Sequence, residues 1–167
     1  MEIYKSFRTY DILISILLLI SLSPLFVFVF IICFFESRNP IFIQKRVGIY
    51  QKPFKLLKFR TMKLETPSKA SHLINKNSVT KFGKFIRLLK IDELPQLINV
   101  LNGDMSLVGP RPCLPNQFEL IECREKYKLY QVKPGITGLS QIKGIDMSNP
   151  MRLAKSDFLM ISKMNQL

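Results

Sequence analysis

The chain has 167 residues, enough for one modest domain and an accessory segment, with 47% hydrophobic residues and a net charge of +13. Residues 1–36 hold two basic and three acidic side chains, so +14 falls on residues 37–167 and implies an anionic partner: nucleic acid, an acidic membrane surface or a phosphorylated substrate. Three cysteines without CxxC-type spacing and a lone histidine argue against a disulfide framework, a zinc centre and a histidine-based triad, and favour a reducing cytosolic setting.

From Ile12 to Phe35 the chain is uncharged and almost wholly apolar, about as long as a membrane helix requires. The run is longer than a signal-peptide core, and no small-residue cleavage site follows it. Ser23-Pro24 falls at its centre, where proline removes a backbone hydrogen bond and kinks a helix at a cost of about 3 kcal/mol. A serine hydroxyl can satisfy the freed backbone groups in lipid. Lys5 and Arg8 precede the run, and Arg38, Lys45 and Arg46 follow it, so both flanks prefer the cytoplasmic side. A kinked, re-entrant helix meets that preference, whereas a straight span violates it at one end. The residues alone leave both open.

Pro40 to Val47 alternates, with Phe42, Gln44 and Arg46 on one face and Ile41, Ile43 and Lys45 on the other. Gly48 to Gln51 reads as a turn and Phe54 to Met62 as the returning strand, which together predict a β-hairpin. Eight basic residues and no acidic one lie between Arg38 and Lys63, a cationic face suited to lipid or to phosphate. The polar residues 64–79, which include Pro67 and His72, read as a loop with a solvated histidine. Phe82, Phe85, Ile86 and Leu89 share one helical face, opposite Lys81, Lys84, Arg87 and Lys90. Such a helix can lie on an anionic membrane or cover a core.

Leu94, Leu97, Ile98 and Leu101 predict a further helix ended by Gly103. Asp92 is placed to cap it, with Pro95 third in the helix, where no intrahelical amide bond is lost. Asp92 and Glu93 then set two adjacent carboxylates at a helix start. Capping and a favourable dipole interaction account for that placement without any chemistry. In Gly109-Pro110-Arg111-Pro112 two prolines restrict the backbone around a guanidinium suited to bidentate phosphate recognition, and Pro134-Gly135-Ile136-Thr137-Gly138 follows. Each can equally be a rigid turn. There is no GxGxxG or Walker loop.

Taken in order, Phe42–Gly48, Phe54 through Lys58-Phe59-Arg60-Thr61-Met62, Asp92–Leu97, Asn99–Pro112 and Pro134–Gly138 resemble the bacterial sugar transferase family, the monotopic phosphoglycosyl transferases. The resemblance runs from about Phe7 to Asp157. It implies an α+β, mainly α fold: a re-entrant membrane helix over residues 1–36, broken at Ser23 and Pro24, and a membrane-apposed cytosolic catalytic domain over residues 37–167, with a β-hairpin and amphipathic helices. It implies an inner-membrane location with the catalytic part facing the cytoplasm and anionic lipid around it. The implied reaction moves a sugar-1-phosphate from a UDP-sugar to polyprenyl (undecaprenyl) phosphate and releases UMP, initiating capsule, lipopolysaccharide or exopolysaccharide synthesis.

In the family's pattern Asp92 is the nucleophile and Glu93 helps to hold Mg²⁺. Lys58, Arg60 and Arg111 then bind substrate phosphates, and Asp157 matches a further acid close to the site. A carboxylate is ionised at neutral pH and needs no histidine to activate it. The chain departs from the pattern at Lys90, where relatives carry a small hydroxyl residue, and at Leu139-Ser140, which replaces Trp-Ala. It departs again at Lys143-Gly144-Ile145-Asp146, where an arginine is missing, and it ends at Leu167, short for the family. The second reading is a truncated, non-catalytic relative. A nucleic-acid binder has no recognisable motif or aromatic interleaving behind it. The sequence sets neither the sugar nor the oligomeric state.

Overall fold

The computed structural model describes residues 3–64 and 78–164. The histidine of the expected loop, His72, lies outside the described residues. Helices α1 (Ile3–Ser21) and α2 (Ser23–Ser37) occupy the apolar run and meet at Leu22 with a bend of 67°. The cause is local. Pro24 has no N–H to give the Ile20 carbonyl, and the Ser23 hydroxyl donates to that carbonyl instead at 2.8 Å. The Ser21 hydroxyl donates to the Leu18 carbonyl at 3.3 Å. Among the described residues no single helix is long and apolar enough to cross a membrane, although the bent pair is so when taken together.

The two arms are fastened at their outer ends. Arg8 donates to the carbonyls of Val100 and Leu101, and Asp11 accepts the Leu107 N–H at 3.0 Å. At the other end Val29 and Cys33 pack with Phe59 and Ile86, and Glu36 accepts the Thr80 hydroxyl at 2.8 Å. Around the bend, Leu13, Leu17, Ile20, Val27, Phe28 and Ile31 are exposed.

The expected hairpin forms between β1 (Ile41–Val47) and β2 (Pro53–Phe59), antiparallel, with Phe42 opposite Lys58 and Arg46 opposite Phe54. A 3-10 turn at Ile49–Gln51 closes it, with Tyr50 and Gln51 at positive φ. Its inward face carries the polar members: Gln44 and Arg46 are buried beside Phe54 and Leu56, while Ile43, Lys45 and Lys55 face out.

Helix α3 (Lys81–Leu88) is capped by Thr80, whose hydroxyl oxygen accepts the Gly83 N–H at 2.9 Å. Its expected apolar face is divided. Ile86 is buried with Phe82 against it, whereas Phe85 and Leu89 are exposed, as is Leu88 beside them. Helix α4 (Gln96–Asn102) ends at Gly103, whose φ of +87° is the left-handed stop that glycine allows most readily.

Strand β3 (Ser106–Val108) pairs in parallel with β4 (Gly135–Thr137), and α5 (Phe118–Lys126) lies between them in the chain. A Cβ on Gly135 would fall 2.0 Å from the Gly109 nitrogen, so only glycine permits this approach. The short α6 (Leu139–Ile142) and the long α7 (Pro150–Met164) complete the fold. The sequence reading assigns no helix to α5 or α7; they close on each other through Cys123, Leu129, Ala154, Met160 and Ile161. The three cysteines are free and buried, and the fold is α+β and mainly helical as expected.

Candidate active site

Lys90 adopts left-handed backbone, φ 59°, and turns the chain from α3 into a 3-10 turn at Ile91–Glu93. This corrects the expectation that Asp92 caps α4. Pro95 occupies the N-cap position and no side-chain cap bond forms there. The chain is wound tightly here: Glu93, Leu94 and Leu97 donate to the carbonyls three residues before them at 3.0–3.2 Å, and the helical stretch begins later than its apolar stripe suggests. Both carboxylates are buried.

Their surroundings are cationic. Burial pushes the Asp92 carboxyl above its usual range and the charge of Glu93 adds to this, while Lys58, Arg87 and Lys90 oppose it. Burial acts on Glu93 in the same direction, but the charge and hydrogen bonds of Arg111 win and hold it below the usual range. Arg111 reaches Glu93 as a fork, Nη2 to Oε1 at 2.6 Å and Nη1 to Oε2 at 3.4 Å. Its side chain keeps 35% of its surface open to solvent.

Lys58 is on the inward face of β2, where burial and the nearby charge of Arg46 push its ammonium down to about 8 against the pull of Asp92. The structure therefore brings Asp92, Glu93, Lys58 and Arg111 together. Arg60 is engaged elsewhere, donating from Nε to the Asn39 carbonyl at 2.8 Å. Its guanidinium and the Lys58 ammonium lie 5.3 and 5.4 Å from the centre of the Phe42 ring.

Asp157 is 1% exposed and is not an open acid of this site. It accepts from Arg124 Nη2 at 2.7 Å and from the Ser140 hydroxyl at 2.6 Å, because α5 and α6 both pack on α7. Arg124 in turn donates to the Arg111 carbonyl at 2.8 Å.

The family model for the bacterial sugar transferases matches residues 3–166. The chain belongs to the bacterial sugar transferase family. It is 45% identical over 138 residues to the uncharacterized sugar transferase EpsL of Bacillus subtilis, covering 82% of this chain and 68% of that one. It is 42% identical over 146 residues to the undecaprenyl-phosphate glucose phosphotransferase of Komagataeibacter xylinus, covering 82% of this chain and 27% of the relative. With the UDP-glucose:undecaprenyl-phosphate glucose-1-phosphate transferase of Escherichia coli it shares 42% identity over 142 residues, covering 82% of this chain and 31% of the relative.

Several residues that build the site escape a reading of the sequence. Asn99 is mid-helix and buried: its Oδ1 accepts the Leu57 N–H at 2.9 Å and its Nδ2 donates to the Lys55 carbonyl at 2.8 Å, which docks α4 on the edge of β2. A polar residue between Ile98 and Val100 is the signal that could have found it. Arg46 is legible as a member of one hairpin face and of the basic run but not by its partners: it turns inward and donates to the Pro112 carbonyl at 3.1 Å and to Gln44 at 2.7 Å. Arg87 acts on both Asp92 and Lys58 by charge. Arg124 carries no local signal at all.

Among the described residues no group of three or more His, Cys, Asp or Glu gathers as a cation cage. Asp92 and Glu93 are the carboxylates from which a divalent cation that also takes water and substrate phosphate would draw its ligands, and in this structure both Glu93 oxygens face Arg111.

Proposed function

We propose that this transferase moves a sugar-1-phosphate from a UDP-sugar to undecaprenyl phosphate, with release of UMP, through a covalent intermediate on Asp92. The observation that carries the reading is the buried Asp92–Glu93 pair ringed by Lys58, Arg87 and Arg111. Such a ring is built to hold a polyanion beside a carboxylate nucleophile. The names of the K. xylinus and E. coli relatives supply the acceptor and, for the second, the UDP-sugar donor.

In the first step an Asp92 oxygen attacks the phosphorus that bears the sugar. The new bond is Asp92 Oδ–P; the bond broken joins that phosphorus to the bridging oxygen, which leaves with its electron pair as a phosphate oxygen of UMP. In the second step a phosphate oxygen of the polyprenyl acceptor attacks the same phosphorus and returns Asp92 as a carboxylate. Asp92 and a diphosphate are both anionic, so their approach must be offset. Lys58 and Arg111 supply positive charge at the site, and Arg60 shares the Phe42 ring with Lys58. A substrate phosphate gives the Arg111 fork a second acceptor besides Glu93. Mg²⁺ held by Glu93 would neutralise charge on the diphosphate.

The same reading places the enzyme at the cytoplasmic face of the bacterial inner membrane, with α1 and α2 as a re-entrant pair. It is supported by the exposed apolar residues around the Leu22 bend and by the attachment of both outer ends to one body. Exposed Phe85, Leu88 and Leu89 beside Lys81, Lys84 and Arg87 suit an anionic lipid surface.

Mass spectrometry of the protein incubated with UDP-sugar and Mg²⁺, without acceptor, tests the chemistry. A phosphosugar adduct should map to Asp92. Asp92→Asn should fold and form none, because an amide is a poor nucleophile. Unchanged UMP release by folded Asp92→Asn protein would falsify the two-step mechanism. A wild-type chain silent across many UDP-sugars would instead favour a non-catalytic relative.

A further inference from the structure

We infer that Arg124, Asp157 and Ser140 are positioning residues that set the backbone of Arg111, and through it the direction of its guanidinium fork; this rests on the reading of Arg111 as a phosphate ligand. The reason begins with the two prolines. Pro110 and Pro112 have no N–H, so this segment cannot satisfy its own carbonyls by regular structure. Four consecutive carbonyls accept from four separate donors. Pro110 takes the Gly135 N–H at 3.0 Å, Arg111 takes Arg124 Nη1 at 2.8 Å, Pro112 takes Arg46 Nη1 at 3.1 Å and Cys113 takes the Val47 N–H at 3.0 Å.

The donor at Arg111 itself differs from the others, because it is anchored by charge. Arg124 and Asp157 are 3% and 1% exposed, and the second Asp157 oxygen is held by Ser140. A buried ion pair is weak as a stabiliser, since apolar residues of the same shape often do as well. An apolar side chain could not bridge a carboxylate on α7 to a carbonyl at the site. A guanidinium does so with two of its nitrogens. Ser140 adds a third element, α6, to the same chain of bonds. Three helices, α5, α6 and α7, are thus joined through Arg124 to one peptide group, that of the residue whose fork faces Glu93.

A double-mutant cycle tests this. kcat and KM for UMP release would be measured for the wild type, R111K, R124K and the double variant, together with S140A and S140A/R111K, each with its melting temperature. R124K keeps a cation beside Asp157, but one ammonium cannot reproduce both guanidinium bonds. We expect R124K to lower kcat/KM roughly tenfold in the wild-type background and by less than about twofold in the R111K background. S140A should act in the same direction, more weakly, and again only where Arg111 is present, while the fall in melting temperature from the lost bond to Asp157 should be the same in both backgrounds. Equal losses in both backgrounds would show a merely structural role and overturn the inference. If R124K does not fold, the S140A cycle decides by the same criterion. Wild-type silence would sink the transferase reading separately, and the cycle would then be read through UDP affinity, with the same two outcomes.

Discussion

At the scale of single residues, Lys58 is the group whose charge can be read by pH. Burial and Arg46 push it down to about 8 from an ordinary value of 10.5. Below about 8 it is an ammonium able to offset a diphosphate; above that pH it is neutral. kcat/KM should therefore fall as pH rises through about 8, and K58R, which stays charged, should abolish that limb. The sign for stability is opposite. Between the folded and unfolded values the unfolded chain binds more protons, so the Lys58 contribution makes folding more favourable as pH rises from about 8 towards 10.5. Activity that falls while the melting temperature holds separates deprotonation from unfolding. Persistence of the limb in K58R would mean that another group titrates there. On the acid side, burial and Glu93 raise the Asp92 carboxyl, so its protonation begins above the usual carboxylate range.

At the scale of elements, the site depends on the docking of α4 on β2, made by the Asn99 side chain and by Val100 packed with Phe54 and Leu56. The free edge of β2 offers an N–H at Leu57 and a carbonyl at Lys55, and the Asn99 amide pairs with both as a neighbouring strand would. That fixes the Ile91–Glu93 turn, just ahead of α4, against the strand that carries Lys58. Asn99→Ala should cost about 1–3 kcal/mol, measured by urea denaturation, because partly buried partners lose their bonds. It should also lower turnover by loosening Asp92 relative to Lys58. A variant with unchanged stability and turnover would show that α4 is held by its apolar contacts alone. The Asn99 pattern is partly legible in the sequence as a polar break in an apolar stripe. Its partners are not, since they lie 42 and 44 residues away along the chain.

At the scale of the whole molecule, the two arms of the bent helix pair both return to the same body. Arg8 and Asp11 tie α1 to α4 and β3, and Val29, Cys33 and Glu36 tie α2 to β2 and α3. A helix that crossed a membrane would carry its two ends to opposite faces, so these attachments favour the re-entrant reading. Single cysteines placed at Lys5 and at Arg38, in a chain lacking the native three, should both resist a membrane-impermeant thiol reagent applied to intact cells from the periplasm. Labelling of either one would establish a spanning segment.

What the sequence determined by itself was what short-range chemistry controls. Proline at 24 breaks a helix wherever that helix lies, and the preceding serine supplies a donor to the carbonyl the proline strands. Gly103 ends α4 because left-handed backbone costs glycine little, and alternation around a tight turn specifies the hairpin. The adjacency of Asp92 and Glu93 is covalent, so their juxtaposition was never in question. Only tertiary structure decided which cations face them. Lys58, Arg87 and Arg111 come from β2, α3 and the turn after β3, and no period along the chain encodes that meeting. It also decided that Asp92 sits in a 3-10 turn and does not cap α4, and that Asp157 is spent on Arg124, 33 residues away, behind the site. A buried charge takes whichever partner packing delivers, because leaving it unpaired costs more than any local preference can return.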